Sequence, residues 1–237
     1  MRAGIALVCT IILLPAVRAA ATPYLIAYEG DVYPEEAGWE RLASGGGVER
    51  SIDSGVLTLY DPSPPTEGKS DAYRLDRIGK LGPGIGERWF AEWRMRTIWD
   101  EFADVGVFIA EDAGLLALDF RLGETWFYSA KEDLLHSLDG TMFHTYRVES
   151  VDMLNYSLFI DENWIWNGEF LPGTTWSSTV FWGDQGFLVP STSEWDYFHF
   201  GVSAVPSPGA FLLLAVGLGI MALMPKRTPP CTSSRSG

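Results

Sequence analysis

The sequence predicts an all-β protein, an antiparallel sandwich of two sheets. Three observations carry that prediction. Apolar and polar residues alternate with period two along the middle of the chain, Gly, Pro and Asp punctuate the alternating runs, and patterns of helical period are scarce.

The elements follow in order. Arg2 supplies a basic start, Gly4 to Leu14 an apolar run, and Ala19-Ala20-Ala21 a small-residue cleavage site, so residues 1–21 are expected to be a secretory signal peptide. An uncleaved anchor would need a longer apolar run. Cys9 lies inside that run rather than at its end, which argues against a lipoprotein.

Residues 22–204 are expected to form one domain with a full-sized core. Val56 to Tyr60, Trp89 to Arg96, Val105 to Ala110, Leu115 to Arg121 and Thr125 to Tyr128 read as strands. In the second of these, Glu92, Arg94 and Arg96 alternate with Ala91, Trp93 and Met95, giving one wet and one buried face. Lys131 to Ser137 could be a helical turn and is expected to be a loop. A hairpin joins Tyr146–Val151 to Tyr156–Asp161 through a turn at 152–155, and a second reversal at Asp161-Glu162-Asn163 leads to Trp164-Ile165-Trp166.

The tail has its own grammar. Val205-Pro206-Ser207-Pro208 precedes an apolar segment, Gly209 to Met224, which Lys226-Arg227 and a polar stretch from Thr228 to Gly237 follow. At about 1.5 Å per residue the segment spans about 24 Å, short of a bilayer core of about 30 Å. It is expected to be one transmembrane helix, marginal in length, that serves as a processed signal or as a plain membrane anchor.

All 31 acidic residues and 12 of the 17 basic ones lie between residues 22 and 204, a formal charge of −19. That field opposes phosphate, so nucleic acid is excluded as a partner. Extracellular solubility or divalent cations account for the excess. Both cysteines, Cys9 and Cys231, lie outside this region, so the domain is expected to hold together without disulfides.

Two resemblances add to this reading. From 206 to 227 the tail resembles the PEP-CTERM sorting signal: Val205, Pro206 and Pro208 match its Val-Pro-Glu-Pro motif, a short helix follows, and Lys226 and Arg227 stand in the basic cluster. Ser207 replaces the usual Glu, and the polar tail runs past the usual end. The resemblance implies recognition by an exosortase-type enzyme and delivery to the cell envelope or extracellular matrix of a bacterium that makes exopolysaccharide. The second resemblance covers about 30 to 202. Phe143-His144-Thr145-Tyr146-Arg147, then Leu158-Phe159-Ile160-Asp161 ahead of Trp164, looks like the core hairpin of concanavalin A-like (laminin G-like) jelly rolls. Gly38-Trp39-Glu40, Gly55 to Leu59 and the closing Ser193 to Gly201 resemble the first and last strands of those domains. The resemblance implies a jelly-roll sandwich.

Glycoside hydrolases on that fold are expected to carry an E-x-D-x-x-E strand, with two carboxylates placed for acid and nucleophile roles. The chain has no such run. The sets Glu101/Asp104, Glu149/Asp152 and Glu194/Asp196 have the wrong spacing or fall at turns, although carboxylates on separate strands, such as Glu92 and Asp119, could still oppose each other. There is no G-x-S-x-G elbow, H-E-x-x-H helix or phosphate loop. His136, His144 and His199 are too scattered for a metal triad, and His144 and His199 are read as packing residues.

Ten tryptophans exceed what one core needs, and indole faces stack on sugars. Candidate carbohydrate-binding sets are Trp182 with Asp184 and Gln185, or Trp164 with Trp166, the latter pair expected to share a strand face with Glu162. Trp176 and Trp182 flank the loop 173–178, Trp126 follows the Gly123-Glu124 turn, and Trp93 and Trp195 are expected in the core. Calcium is the one cofactor considered, with Asp104, Glu111, Asp112, Asp184 and Asp196 as candidate ligands. The expectation is an exported, non-catalytic polysaccharide-binding protein. Its competitors are a structural matrix or adhesion component without a small ligand, and a glycan hydrolase or lyase using carboxylates from separate strands.

Overall fold

The computed structural model describes residues 26–62, 69–76, 87–100, 105–111, 114–172, 179–185 and 190–204. The expected signal peptide, the loop 173–178 with Trp176, Glu101, Asp104, Asp112, the helix 209–224 and the sorting residues Pro206, Ser207, Pro208, Lys226 and Arg227 lie outside them. None of the described residues is helical.

The chain opens with β1 (Ile26–Glu29), β2 (Glu40–Ser44), β3 (Glu49–Asp53), β4 (Val56–Asp61), β5 (Ser70–Asp76) and β6 (Glu87–Asp100). It continues through β7 (Val105–Glu111), β8 (Gly114–Phe120), β9 (Glu124–Tyr128), β10 (Leu134–Ser137) and β11 (His144–Ser150). The last five are β12 (Asn155–Ile160), β13 (Asn163–Glu169), β14 (Leu171–Pro172), β15 (Thr179–Asp184) and β16 (Ser191–Ala204). The first sheet runs β13-β12-β11-β6-β16-β4-β3, with β1 on the second half of β16. The second runs β10-β9-β8-β7-β15-β5-β2, with β14 beside β8. Every ladder is antiparallel. The expected sandwich is therefore present.

Alternation builds the core. On β6, Trp89, Ala91, Trp93 and Met95 turn inward, and on β16 Trp195, Phe198, Phe200 and Val202 do so. A register shift between Trp195 and Tyr197 changes the parity of β16, so Asp196 and Tyr197 both leave the core. From the second sheet come Tyr73, Val107, Ile109, Leu116, Leu118, Phe120, Phe127, Val180 and Trp182. Phe198 links two aromatic groups, stacking on Trp182 at 5.7 Å and on Trp93 at 5.7 Å.

The hairpins have local causes. At the β11–β12 turn the Ser150 hydroxyl accepts from the Met153 N–H, and the Asp152 carboxylate accepts from the N–H groups of Leu154 and Asn155. Between β12 and β13, Asp161 and Glu162 both take positive φ, 49° and 66°, as a two-residue I′-type turn requires. Gly168 faces Tyr156, whose ring fills the space a side chain would take, 2.3 Å from an ideal Cβ. The expected loop at 131–137 is corrected in part: Leu134–Ser137 form β10, because pairing with β9 satisfies their backbone and Leu134 packs on the core.

Candidate active site

Both outer faces of the sandwich carry carboxylates held by cations. On the first sheet the carboxylates are matched by cations. Arg147 reaches Glu92 at 2.8 Å and Glu149 at 2.7 Å, and Arg88 also binds Glu149. Arg94 holds Asp196, Arg96 holds Glu194 at 2.7 Å, and His199 meets Glu29 at 2.7 Å. Glu92 and Glu149 are thus joined through Arg147 in one ladder of ion pairs.

The second sheet presents a carboxyl of another kind. Leu118 and Phe120 are buried, so Asp119 between them faces outward, opposite Gly106 on β7 and Trp126 on β9. Ala72, Gly183 and Gly106 follow one another across β5, β15 and β7, leaving a strip without bulky side chains beside Asp119. The Gln185 amide occupies the space over Gly106, 2.1 Å from where a Cβ would stand, and its Nε2 has no partner among the described residues. Only glycine admits it there.

Around Asp119 the polar groups are ordered. The Tyr128 hydroxyl donates to Asp119 Oδ2 at 2.7 Å. Arg121 and the Trp126 Nε1 both donate to Glu124 Oε1, at 3.3 and 3.1 Å, and the Arg121 guanidinium lies over the Trp126 ring at 4.6 Å. Burial pushes the Asp119 carboxyl above the usual carboxylate range, outweighing the Tyr128 bond and the Arg121 charge, which pull the other way. Tyr128 is raised as well, first by burial and then by its bond to Asp119. Among the described carboxyls with a resolved shift, Asp119 is the one raised; Asp139, Asp152 and Asp161 are lowered.

The site therefore holds two carboxyl groups in contrasting surroundings, one favouring its proton and one held by a guanidinium. Trp126 lies directly opposite Asp119, and Glu124 is two residues along β9, a diagonal neighbour on the same face. The outward positions of β8 are Ala117, Asp119 and then Arg121, so that strand alone supplies one carboxyl and the second comes from β9.

Several expectations need correction. Glu92 and Asp119 face opposite sides of the sandwich and cannot act together. Trp182 is wholly buried, enclosed by Tyr28, Trp39, Tyr73, Trp195 and Phe198, and has no face to offer a sugar. Asp184 is buried against the Ser191 hydroxyl, apart from Trp182 in role. Gln185 alone of that set reaches the Asp119 face. Trp164 and Trp166 do not share a face: a bulge makes Ile165 the extra residue, so Trp164 opposes outward Phe159 while Trp166 opposes buried Leu158. Trp164 is 59% exposed. Of the calcium candidates described, Asp184 is buried and Asp196 is bound to Arg94, while Glu111 ends β7. Among the described residues no group of three or more His, Cys, Asp or Glu could hold a metal. The pairing of Asp119 with Glu124 escaped the sequence reading. Its signal was the two-residue loop Leu122-Gly123, which sets Arg121 against Glu124 and so places 119, 124 and 126 on one face.

No protein-family model matches the chain, and no curated protein matches it in sequence. Solved structures do match. A carbohydrate esterase from Shiga toxin-encoding bacteriophage phi24B is 11% identical, with a TM-score of 0.60, over 78% of this chain and 100% of its own. An endo-1,3-beta-glucanase from Streptomyces sioyaensis is 15% identical, with a TM-score of 0.51, over 71% of this chain and 90% of its own. A prokaryotic beta-1,3-1,4-glucanase (lichenase) from a mouse hindgut metagenome is 14% identical, with a TM-score of 0.50, over 74% and 97%. All three are named as enzymes acting on glycans, a finding that overturns the expectation of a non-catalytic binding module. At such low identity the likeness establishes architecture, and the chain is an antiparallel sandwich of the concanavalin A-like jelly-roll type.

Proposed function

We propose that the protein is a glycan hydrolase that works on the outer face of the second sheet. One observation carries this reading: Asp119, the carboxyl that burial raises, lies diagonally across from Glu124, which Arg121 holds. Asp119 protonates the departing glycosidic oxygen. Glu124 takes a proton from the attacking water, and Tyr128 orients Asp119 through its hydroxyl. Trp126 provides an apolar wall for a sugar ring. The glucanases among the solved proteins of this fold make soluble β-glucans the first substrates to try. The test is proton NMR of the first product released from such a glucan. A product anomer inverted relative to the substrate is expected. Retention, or no cleavage of any glucan offered, overturns the assignment.

The sequences of the tail and the leader support a site of action outside the cytoplasm. Residues 1–21 direct export, and Pro206, Ser207, Pro208, Lys226 and Arg227 with the apolar segment between them address the protein to an exosortase-type enzyme, the membrane being a temporary station before the envelope or matrix. The order of these parts in the sequence supports this. The mass of the C-terminal peptide of the mature protein tests it: an end near Pro206 to Gly209 is expected, and an intact tail through Gly237 refutes it.

A further inference from the structure

The first sheet's outer face carries a second feature, on the opposite side of the sandwich from Asp119. A depression of about 280 Å³ is lined by Glu92, Thr145, Arg147, Glu149, Phe159 and Glu162. A neighbouring one of about 480 Å³ shares Glu149 and Phe159 and extends to Arg88, Ser157 and Asn167. Together they form a trough across β6, β11, β12 and β13, which at about 4.8 Å per strand is about 14 Å wide.

Its chemistry is that of a surface which receives a flat, hydroxyl-rich chain. Trp164 stands beside Phe159 with its ring largely exposed, and its Nε1 donates to Asn167 Oδ1 at 3.3 Å. The Ser157 hydroxyl donates to the same oxygen at 2.9 Å, so the Asn167 amide is fixed with its nitrogen unpartnered among the described residues. Arg147 lies flat over Phe90 at 4.7 Å, tied to Glu92 and Glu149. The cations here are each paired, so the trough offers neither a net charge for an anion nor a bare apolar surface for a protein. An oriented amide, carboxylate acceptors and an exposed indole remain, the set that recognises sugar hydroxyls and sugar faces.

We propose that this trough is a second glycan-binding site, which holds a neighbouring stretch of the same polymer while the Asp119 face cleaves it. The inference rests on the hydrolase reading for its purpose, but its binding can be read without catalysis. The effect belongs to long chains: a polymer reaches both faces, and its second attachment becomes intramolecular.

The experiment is affinity electrophoresis of the full chain in gels containing soluble β-glucan, with Asp119→Asn used to stop cleavage. Within that background, Trp164→Ala, at the exposed ring on the trough's rim beside Phe159 and Asn167, is expected to weaken retardation about fivefold or more, whereas Leu154→Ala, at an exposed apolar side chain of the β11–β12 turn, leaves it unchanged. In the active chain, Trp164→Ala raises the half-saturating concentration for polymer and leaves hydrolysis of a short oligosaccharide unaltered. Equal retardation of Trp164→Ala and its parent overturns the proposal, as does a parent that no glucan retards. A parent that is retarded through Trp164 but cleaves nothing upholds the trough and refutes the hydrolase.

Discussion

Replacing Trp182 by Ala separates a core role from a sugar-stacking role. The ring is wholly buried and its centroid lies 4.8 Å from Tyr73 and from Trp195, 5.1 Å from Tyr28, 5.6 Å from Trp39 and 5.7 Å from Phe198. Truncating such a residue costs about 3–5 kcal/mol in lost transfer energy and cavity. Five aromatic partners, each worth about 0.5–1.5 kcal/mol beyond area, push the cost to the top of that range. The buried indole Nε1 has no partner among the described residues, and its removal returns about 1–3 kcal/mol. The net loss is about 2–4 kcal/mol, or about 4–16 °C in Tm for a domain of this size. Trp164→Ala, at an exposed ring, changes stability by no more than about 0.5 kcal/mol. Thermal unfolding followed by near-ultraviolet circular dichroism reads both. If Trp182→Ala melts within about 2 °C of the parent, the packing argument fails.

Other expected outcomes follow from the same coordinates. Asp119→Asn abolishes hydrolysis and raises Tm at pH 7: a carboxyl whose folded pKa is raised stabilises the fold while protonated and loses that contribution as pH rises through the folded value, so the mutant's advantage should shrink toward zero in acid. Melting curves at pH 7 and below the unfolded Asp value check the sign. Asp71→Ala removes a fully buried carboxylate that receives Arg41 Nε at 2.6 Å and lies 3.6 Å from Arg50 Nε, and should cost about 3 kcal/mol or more in a urea titration. Gly168→Ala drives a methyl into the Tyr156 ring, which is tied by its hydroxyl to the Tyr128 carbonyl, and should cost about 1–3 kcal/mol by the same measurement.

Most of the architecture was legible because alternation and turn residues are local signals. The inward run Trp89, Ala91, Trp93, Met95 and the hairpin at 150–155 needed nothing beyond neighbouring residues. β10 was not legible, since four residues at a sheet edge depend on β9 for their conformation. Parity was lost where bulges intervene: the extra residue Ile165 sends Trp164 and Trp166 to opposite faces, and no alternation pattern announces it. The site failed for a similar reason. Trp182 and Trp164 look alike in sequence, and only the other sheet decides which is enclosed. Glu92 and Asp119 lie on opposite faces, which only the assignment of each strand to a sheet reveals, while the β8–β9 register sets Asp119 opposite Trp126 with Glu124 diagonal to it on the same face.

The central claim is that Asp119 acts as the acid in glycan cleavage. Release of reducing ends from soluble β-glucan by the parent and by Asp119→Asn, with melting curves taken on the same samples, tests it most directly. The account predicts release by the parent and, for a variant at least as stable at pH 7, loss of about a hundredfold or more. Cleavage by Asp119→Asn at the parental rate would contradict it.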